Sequence, residues 1–81
     1  MQTNKAYLGL FTLFREAKQV AEGIREFKRF TEENPPDSAI HFCLGFLYLD
    51  LGDRVSALSE YKILKSMDSF SANLLFGEIY K

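Results

Sequence analysis

The side chains best suited to acid–base or nucleophilic chemistry are one histidine, His41, and one cysteine, Cys43. A catalytic pair or a metal site on a helix needs partners three or four residues apart, because those positions share a face. For His41 the nearest candidates are Asp37, at i−4, and Cys43, which at i+2 points to another face. No cation stands near Cys43 to activate its thiol, and no Cys/His metal spacing is present. We therefore predict a semi-buried histidine, a small buried cysteine, no cofactor and no enzyme.

The composition narrows the class of protein further. The chain has 81 residues, of which 47% are hydrophobic and 15% aromatic, enough for one small folded domain. Ten basic against eleven acidic residues give a net charge of −1, which concentrates neither nucleic acid nor an anionic membrane. The apolar stretch at residues 6–14 is far shorter than the ~20 residues that span a bilayer. A lone cysteine and a polar start predict no disulfide and no secretion signal, so we expect a cytoplasmic protein.

Helix-breaking residues divide the chain into segments. The proline pair at 35–36 ends one helix, and Gly52-Asp53 ends another and caps the next. Apolar residues recur every three or four positions without sustained alternation, which predicts an all-α protein. Helices are expected at residues 4–16, 20–33, 38–51, 54–67 and 71–80. The break near 17–19 has no strong helix-ending residue, so one long helix over 4–33 is the alternative there.

The chain repeats itself at an offset of 34 residues. Large apolar residues align with large ones and small with small, and the aligned pairs are Tyr7 with His41, Leu10 with Leu44, Phe14 with Tyr48, Gly23 with Ala57, Ile24 with Leu58, Phe27 with Tyr61 and Phe30 with Leu64. From residue 73 the pattern begins a third time. We therefore predict two helical hairpins, at 4–37 and 38–69, and a final helix at 70–81, within a single domain.

These residues resemble the tetratricopeptide repeat, whose unit carries Leu-Gly and Tyr on its first helix and Ala and an aromatic on its second. The second unit of this chain matches at Leu44-Gly45, Tyr48, Gly52-Asp53, Ala57 and Tyr61. The first unit is more divergent, with Phe11 at the small position. The resemblance implies antiparallel hairpins stacked as a short α-solenoid. It also implies a concave groove, lined by the first helix of each hairpin, that binds peptides or helices of other proteins.

Carried over to this chain, the groove positions are mostly apolar. They include Leu8, Thr12, Phe42, Cys43, Phe46, Leu49, Leu74 and Leu75. Some family members hold a C-terminal carboxylate with Lys, Arg and Asn at such positions, and here only Lys5 is present, so we predict no carboxylate clamp. The resemblance therefore implies an adaptor or chaperone-like protein, of which the bacterial secretion chaperones are one kind. Its partner would be an amphipathic helix or a hydrophobic peptide segment.

A free groove is one of two interpretations. Phe42, Phe46 and Leu49 follow i, i+4, i+7, which is also the stripe of a helix buried in a core. The first and last helices carry more apolar residues than the ends of a solenoid normally expose. Such faces predict that further repeats of a longer array, a partner protein or a second copy of the chain covers them. The alternative function is a self-assembling structural protein whose groove and end helices are buried in a homo-oligomer.

Glycines are expected where helices approach most closely. The repeat alignment places Gly23 opposite Phe11 and Gly45 opposite Ala57, so that a small residue leaves room across each hairpin. It also suggests that Phe30 and Leu64, which stand where the family usually has alanine, are accommodated between one hairpin and the next by Gly45 and Gly77. Leucine at either of these two positions is therefore expected to overpack the core.

Overall fold

The computed structural model describes residues 2–34 and 37–81, with side chains from residue 7 onwards. Five helices are present: α1 (Gln2–Glu16), α2 (Val20–Glu33), α3 (Ser38–Leu51), α4 (Arg54–Met67) and α5 (Ser69–Ile79). These residues contain no strand, so the all-α prediction is confirmed. The bounds of α2, α3 and α4 are those predicted. Helix α1 begins two residues before its predicted start, and α5 begins two residues early, because Asp68 caps it, and ends one residue early. Pro35 and Pro36, predicted to end α2, lie outside the described residues.

Three aspartates begin the last three helices. Asp37, Asp53 and Asp68 are the N-cap residues of α3, α4 and α5, and each carboxylate accepts a hydrogen bond from a backbone N–H in the first turn. The hydroxyls of Ser56 and Ser71 also donate to Asp53 and Asp68, at 2.7 Å and 2.8 Å. These side-chain hydrogen bonds, together with those from the backbone, hold the pKa of both carboxyls below the usual range. The helix starts are therefore determined locally.

The turns after α1 and α3 have the same geometry. Lys18 (φ 58°) and Gly52 (φ 87°) both adopt the left-handed conformation. In each turn the next backbone N–H donates to the carbonyl five residues earlier, at 2.8 Å, as in a Schellman motif. The two turns lie 34 residues apart, in register with the repeat. The break near 17–19 is thereby confirmed, and one helix over 4–33 is excluded.

Lys18→Gly is expected to stabilise the protein by about 1 kcal/mol, because a β-carbon in the left-handed region costs roughly 1–2 kcal/mol that glycine avoids. Gly52→Ala should destabilise it by a similar amount for the same reason. Urea denaturation of both variants measures the effects. The control is Lys28→Gly, at an exposed position inside α2, which should lose about 1 kcal/mol of stability. A loss of stability in Lys18→Gly would contradict the left-handed turn.

The helices pack in the order in which they follow one another. Each contacts the next, and α3 also contacts both α1 and α5. The core side chains, none more than 8% exposed, are Phe11, Ile24, Phe27, Ile40, Cys43, Leu44, Leu47, Tyr48, Ala57, Leu64, Ala72, Leu75 and Ile79. Helix α3 contributes more of them than any other helix, since it has neighbours on several sides. Its nearly continuous apolar sequence is explained by that central position.

Gly45 lies where α3 and α5 approach most closely. A β-carbon at this position would lie 2.5 Å from Cδ2 of Leu75 and 2.9 Å from its Cδ1. Gly45 therefore makes room for a large side chain, but the side chain nearest to it is Leu75 rather than the expected Phe30 or Leu64. The three nearest atoms all belong to Leu75 on α5, rather than to Ala57 on α4. Gly45 therefore allows close packing between α3 and α5, the first helices of successive repeat units.

The other two glycine expectations differ from the structure. A β-carbon on Gly23 would lie 2.9 Å from Cγ of Phe14, so Gly23 accommodates Phe14 and not Phe11. Gly77 has no atom within 4 Å of such a β-carbon. It lies on the side of α5 opposite Leu75, facing away from the core. The prediction that leucine at Gly77 overpacks the core is therefore wrong.

Candidate protein-binding groove

Helices α1, α3 and α5 lie side by side, with α3 in the middle. Two cavities open on the surface that they share. We call the first the N-terminal cavity; its walls include Leu8, Ser38, Phe42, Asp68, Ser71 and Leu74. The second, the C-terminal cavity, is lined by residues that include Arg15, Phe46, Leu49, Asp50, Arg54 and Lys81. Because the starts of α3 and α5 meet at one cavity and the ends of all three helices at the other, the three helices run in the same direction.

The N-terminal cavity has a volume of about 270 Å³. Three helices each contribute one large apolar side chain to it: Leu8 from α1, Phe42 from α3 and Leu74 from α5. Leu8 and Leu74 are almost half exposed and Phe42 is partly buried. The cavity is slightly smaller than the roughly 300–1,000 Å³ typical of small-molecule pockets. Its size and lining suit an apolar side chain of a bound peptide.

An aromatic row on α3 connects the two cavities. The rings of Phe42 and Phe46 lie 4.8 Å apart, and Phe46 meets Phe11 of α1 edge-on at 6.4 Å. Leu49 follows Phe46 on the same face of α3. On α1, the Thr12 hydroxyl donates to the Leu8 carbonyl at 2.9 Å, so its one hydrogen-bond donor is used within the helix. The surface between the cavities is therefore largely apolar.

The C-terminal cavity is larger, about 600 Å³, and has charged walls. Arg15 donates from Nε and Nη2 to the Asp50 carboxylate, at 2.6 Å and 3.0 Å, which joins the end of α1 to the end of α3. Arg54 donates to the Ile79 carbonyl at 2.6 Å, at the C-terminal end of α5. Lys81 Nζ lies 3.2 Å from a carboxylate oxygen of Glu78.

Each of these three cations has a partner within the chain. Arg15, Arg54 and Lys81 would have to leave those partners before they could hold the carboxylate of a ligand. The side chain of Lys5, the one clamp position that the sequence retains, lies outside the described residues. The described part of the groove is therefore suited to apolar contacts more than to the capture of a carboxylate.

Six of the eight predicted groove residues lie on this surface, whereas two do not. Leu8, Phe42 and Leu74 line the N-terminal cavity, Phe46 and Leu49 line the C-terminal cavity, and Thr12 is exposed one turn beyond Leu8. Cys43 and Leu75 are 0% exposed. Each follows a surface residue by one position, and a helix rotates by about 100° per residue, which turns these two side chains into the core.

The thiol of Cys43 is unreactive in this environment. Burial raises the pKa of its thiol to about 12, with a smaller contribution from the negative charge of Asp37. The thiol is therefore uncharged at neutral pH and lacks the thiolate needed for nucleophilic attack or metal binding. It packs as a small apolar side chain, as the sequence predicts.

The sequence does not reveal the partner of His41. Nδ1 of His41 lies 2.7 Å from Oε1 of Glu60 on α4, and the two side chains are only 14% and 12% exposed. This hydrogen bond joins α3 to α4. The only signal in the sequence is that both residues lie about two to three helical turns from the turn at Gly52. The pair is shielded from solvent and lines neither cavity, so its role is structural.

Within the described part of the chain, no three His, Cys, Asp or Glu side chains are grouped to hold a metal ion. None of the helices found there combines the length and the apolar character needed to cross a membrane. Comparison with protein-family models, with curated proteins and with solved structures finds no match for this chain.

Proposed function

We propose that this chain is a protein-interaction module that binds an amphipathic helix or a hydrophobic segment of another protein across α1, α3 and α5. The observation that carries the proposal is the N-terminal cavity, to which Leu8, Phe42 and Leu74 each bring an apolar side chain from a different helix. Covering apolar surface releases about 25 cal/mol per Å². An apolar anchor from a partner gains this energy on entering the cavity.

The order of helix contacts supports a repeat arrangement of the tetratricopeptide type. Helices α1 and α2 form one pair and α3 and α4 a second, and α5 packs on both members of the second pair. The first helices of the three units, α1, α3 and α5, run in the same direction. This is the arrangement expected for two stacked hairpins and one further helix.

The spacing along α3 suits a helical ligand. Phe42, at the N-terminal cavity, and Leu49, at the C-terminal cavity, are seven residues apart, which corresponds to about 10 Å along a helix. Two apolar anchors at i and i+7 on a partner helix have the same separation. In an extended segment, about three residues cover this distance. A short amphipathic segment is therefore long enough to reach both cavities.

The proposal is tested with peptides selected from a random library against the wild-type chain. Selected peptides should carry apolar residues at helical or alternating spacing. Leu8→Glu should weaken their binding by at least about tenfold, which corresponds to about 1.4 kcal/mol, because a carboxylate then replaces one of the three apolar side chains that line the cavity. The matched control is Leu13→Glu, since Leu13 is an exposed leucine on the same helix that lines neither cavity.

Isothermal titration calorimetry of one selected peptide with the three proteins measures the effect. The control variant should bind like wild type, and circular dichroism should show equal helix content in all three. If peptides bind Leu8→Glu as tightly as wild type, or if the selection yields no binder, the groove is not the binding site that we propose.

A further inference from the structure

The face of α5 that points away from the core is apolar and borders the groove at Leu74. Ala72, Leu75 and Ile79 point inward and are at most 2% exposed. On the opposite side of the helix runs a stripe, called the α5 stripe below, that consists of Phe70, Asn73, Gly77 and Tyr80. Its two aromatic side chains are 72% and 56% exposed. None of its four residues is charged, and Glu78 is the only charged residue between positions 69 and 80.

The α5 stripe has the same pattern of large and small residues in both directions. Its members follow one another at intervals of three, four and three residues, with an aromatic residue at each end and two smaller residues between. In a twofold-symmetric interface, residue i of one copy contacts residue j of the other, and j contacts i. An antiparallel pair of α5 helices meets this condition. Phe70 of one copy then faces Tyr80 of the other, and Asn73 faces Gly77.

The shape of the surface permits this approach. Gly77 has no atom within 4 Å of the position of a β-carbon, so the middle of the stripe is low. When two α5 helices pack against each other at Gly77, the aromatic residues at the ends of their stripes come into contact. On the α4 side the aromatic surface continues, because Phe76 lies 4.8 Å from the ring of Tyr80 and 5.2 Å from that of Tyr61. Edge-on or offset ring pairs are therefore available at both ends of the stripe.

Charges next to the stripe favour the antiparallel direction. Asp68 lies at the N-terminal end of α5, and Arg54 lies at the C-terminal end, with its guanidinium 5.8 Å from the ring of Tyr80. Glu78, the acidic residue near that end, is paired with Lys81. Antiparallel packing directs Asp68 of one copy towards Arg54 of the other, and it also opposes the two helix dipoles. Arg54 keeps its hydrogen bonds to the Ile79 carbonyl, and Asp68 keeps those from Ser71, so the two charges attract each other without forming a direct ion pair. Parallel packing would bring like charges together.

The area available corresponds to a reversible dimer. Phe70, Phe76 and Tyr80 expose about 350 Å² of side chain per copy, given roughly 200 Å² for a whole aromatic side chain. Two copies would cover about 700 Å² through these rings, with neighbouring atoms in addition. Stable interfaces bury about 1,200–2,000 Å², so the area is smaller than a stable dimer needs and corresponds to a weak, transient one.

We propose that the chain forms a weak, twofold-symmetric homodimer in which the α5 stripes of two copies pack antiparallel. A second copy fits this surface because the stripe is self-complementary in size, free of charge, and flanked by charges that match in the antiparallel direction. Leu8 and Phe42, on α1 and α3, lie outside the stripe, whereas Leu74 on α5 borders it. The dimer therefore presents two grooves, which increases the avidity for a partner that carries two binding segments.

Sedimentation velocity over a concentration series tests the dimer with two lysine variants. Gly77→Lys places a long charged side chain against Asn73 of the other copy and should raise the dimer dissociation constant at least about tenfold. The matched control is Gly9→Lys, since Gly9 is likewise a helical glycine with no atom within 4 Å of a β-carbon. It should dimerise like wild type. Because both positions are open, both variants should fold, which circular dichroism verifies.

Disulfide cross-linking gives an independent measure of the helix direction. Chains with Asn73→Cys and chains with Gly77→Cys should cross-link faster when mixed than either variant does alone, because position 73 faces position 77 only in the antiparallel pair. Preferential cross-linking of each variant with itself would overturn the antiparallel arrangement. The dimer itself is overturned if wild type is monomeric up to about 300 µM, or if the two lysine variants behave alike. Leu8→Glu should dimerise normally, so failure of the groove and failure of the dimer are distinguishable.

Discussion

Gly45→Leu is expected to destabilise the protein by about 3 kcal/mol or more. Its β-carbon would lie 2.5 Å from Cδ2 of Leu75, whereas carbon atoms pack best at about 3.5–4.0 Å. Leu75 is completely buried, so its methyl groups have little space into which to turn. The smaller Gly45→Ala should cost less, since only the ends of the Leu75 side chain need to move. Urea denaturation followed by circular dichroism measures both variants.

A second substitution makes this prediction specific to the α3–α5 contact. Leu75→Ala removes the colliding atoms, so the double variant Gly45→Leu/Leu75→Ala should be more stable than Gly45→Leu alone. Gly77→Leu in dilute solution is the control; it should keep or slightly increase stability, by up to about 1 kcal/mol, because leucine favours the helix more than glycine does. If Leu75→Ala brings no relief, α3 and α5 do not pack through Gly45.

Phe27→Ala is expected to cost about 3–5 kcal/mol, the usual range for deleting a buried phenylalanine. Phe27 is 0% exposed, and its ring lies 5.2 Å from that of Phe30 and 6.1 Å from that of Tyr7 on α1. A domain of this size has a total stability of about 4–12 kcal/mol. The loss is therefore a large part of the total, and a marked fall in the urea midpoint should follow.

The conservative variant Phe27→Leu keeps the measurement interpretable if Phe27→Ala does not fold. It should lie between wild type and Phe27→Ala, because leucine fills part of the space. Leu13→Ala, at an exposed position on α1, should change the stability by no more than about 0.5 kcal/mol. Equal urea midpoints for Phe27→Ala and Leu13→Ala would show that the α1–α2 contact does not depend on the packed rings of Tyr7, Phe27 and Phe30.

The helix bounds were predictable because the groups that determine them act on their own backbone. Gly52 adopts the left-handed turn and Asp53 caps α4, each within a few residues. The turn at Lys18 was predictable only through the repeat, since lysine itself carries no such preference. Local chemistry and the internal repeat thus account for the order of helices.

The contacts between helices were harder to predict. Whether Gly45 faces α4 or α5 depends on how α3 is rotated about its axis. Neighbouring residues point about 100° apart around a helix, so an error of one position changes the face on which a side chain lies. The same uncertainty placed Cys43 and Leu75 in the groove, although both are buried. The pair His41–Glu60 joins residues on separate helices, so no local pattern reports it. Side-chain direction, more than helix position, limited the prediction of the site.

The order of helix packing has a kinetic consequence. Among the residues that the structure describes, each helix touches only the next one or the next but one along the chain, so none of these contacts requires the two ends of the polypeptide to meet. Proteins with such local topology fold in microseconds to milliseconds, because little chain entropy is lost before contacts form. The hairpin of α3 and α4, closed by the turn at Gly52, provides a surface on which α2 and α5 can dock independently, from opposite ends of the chain.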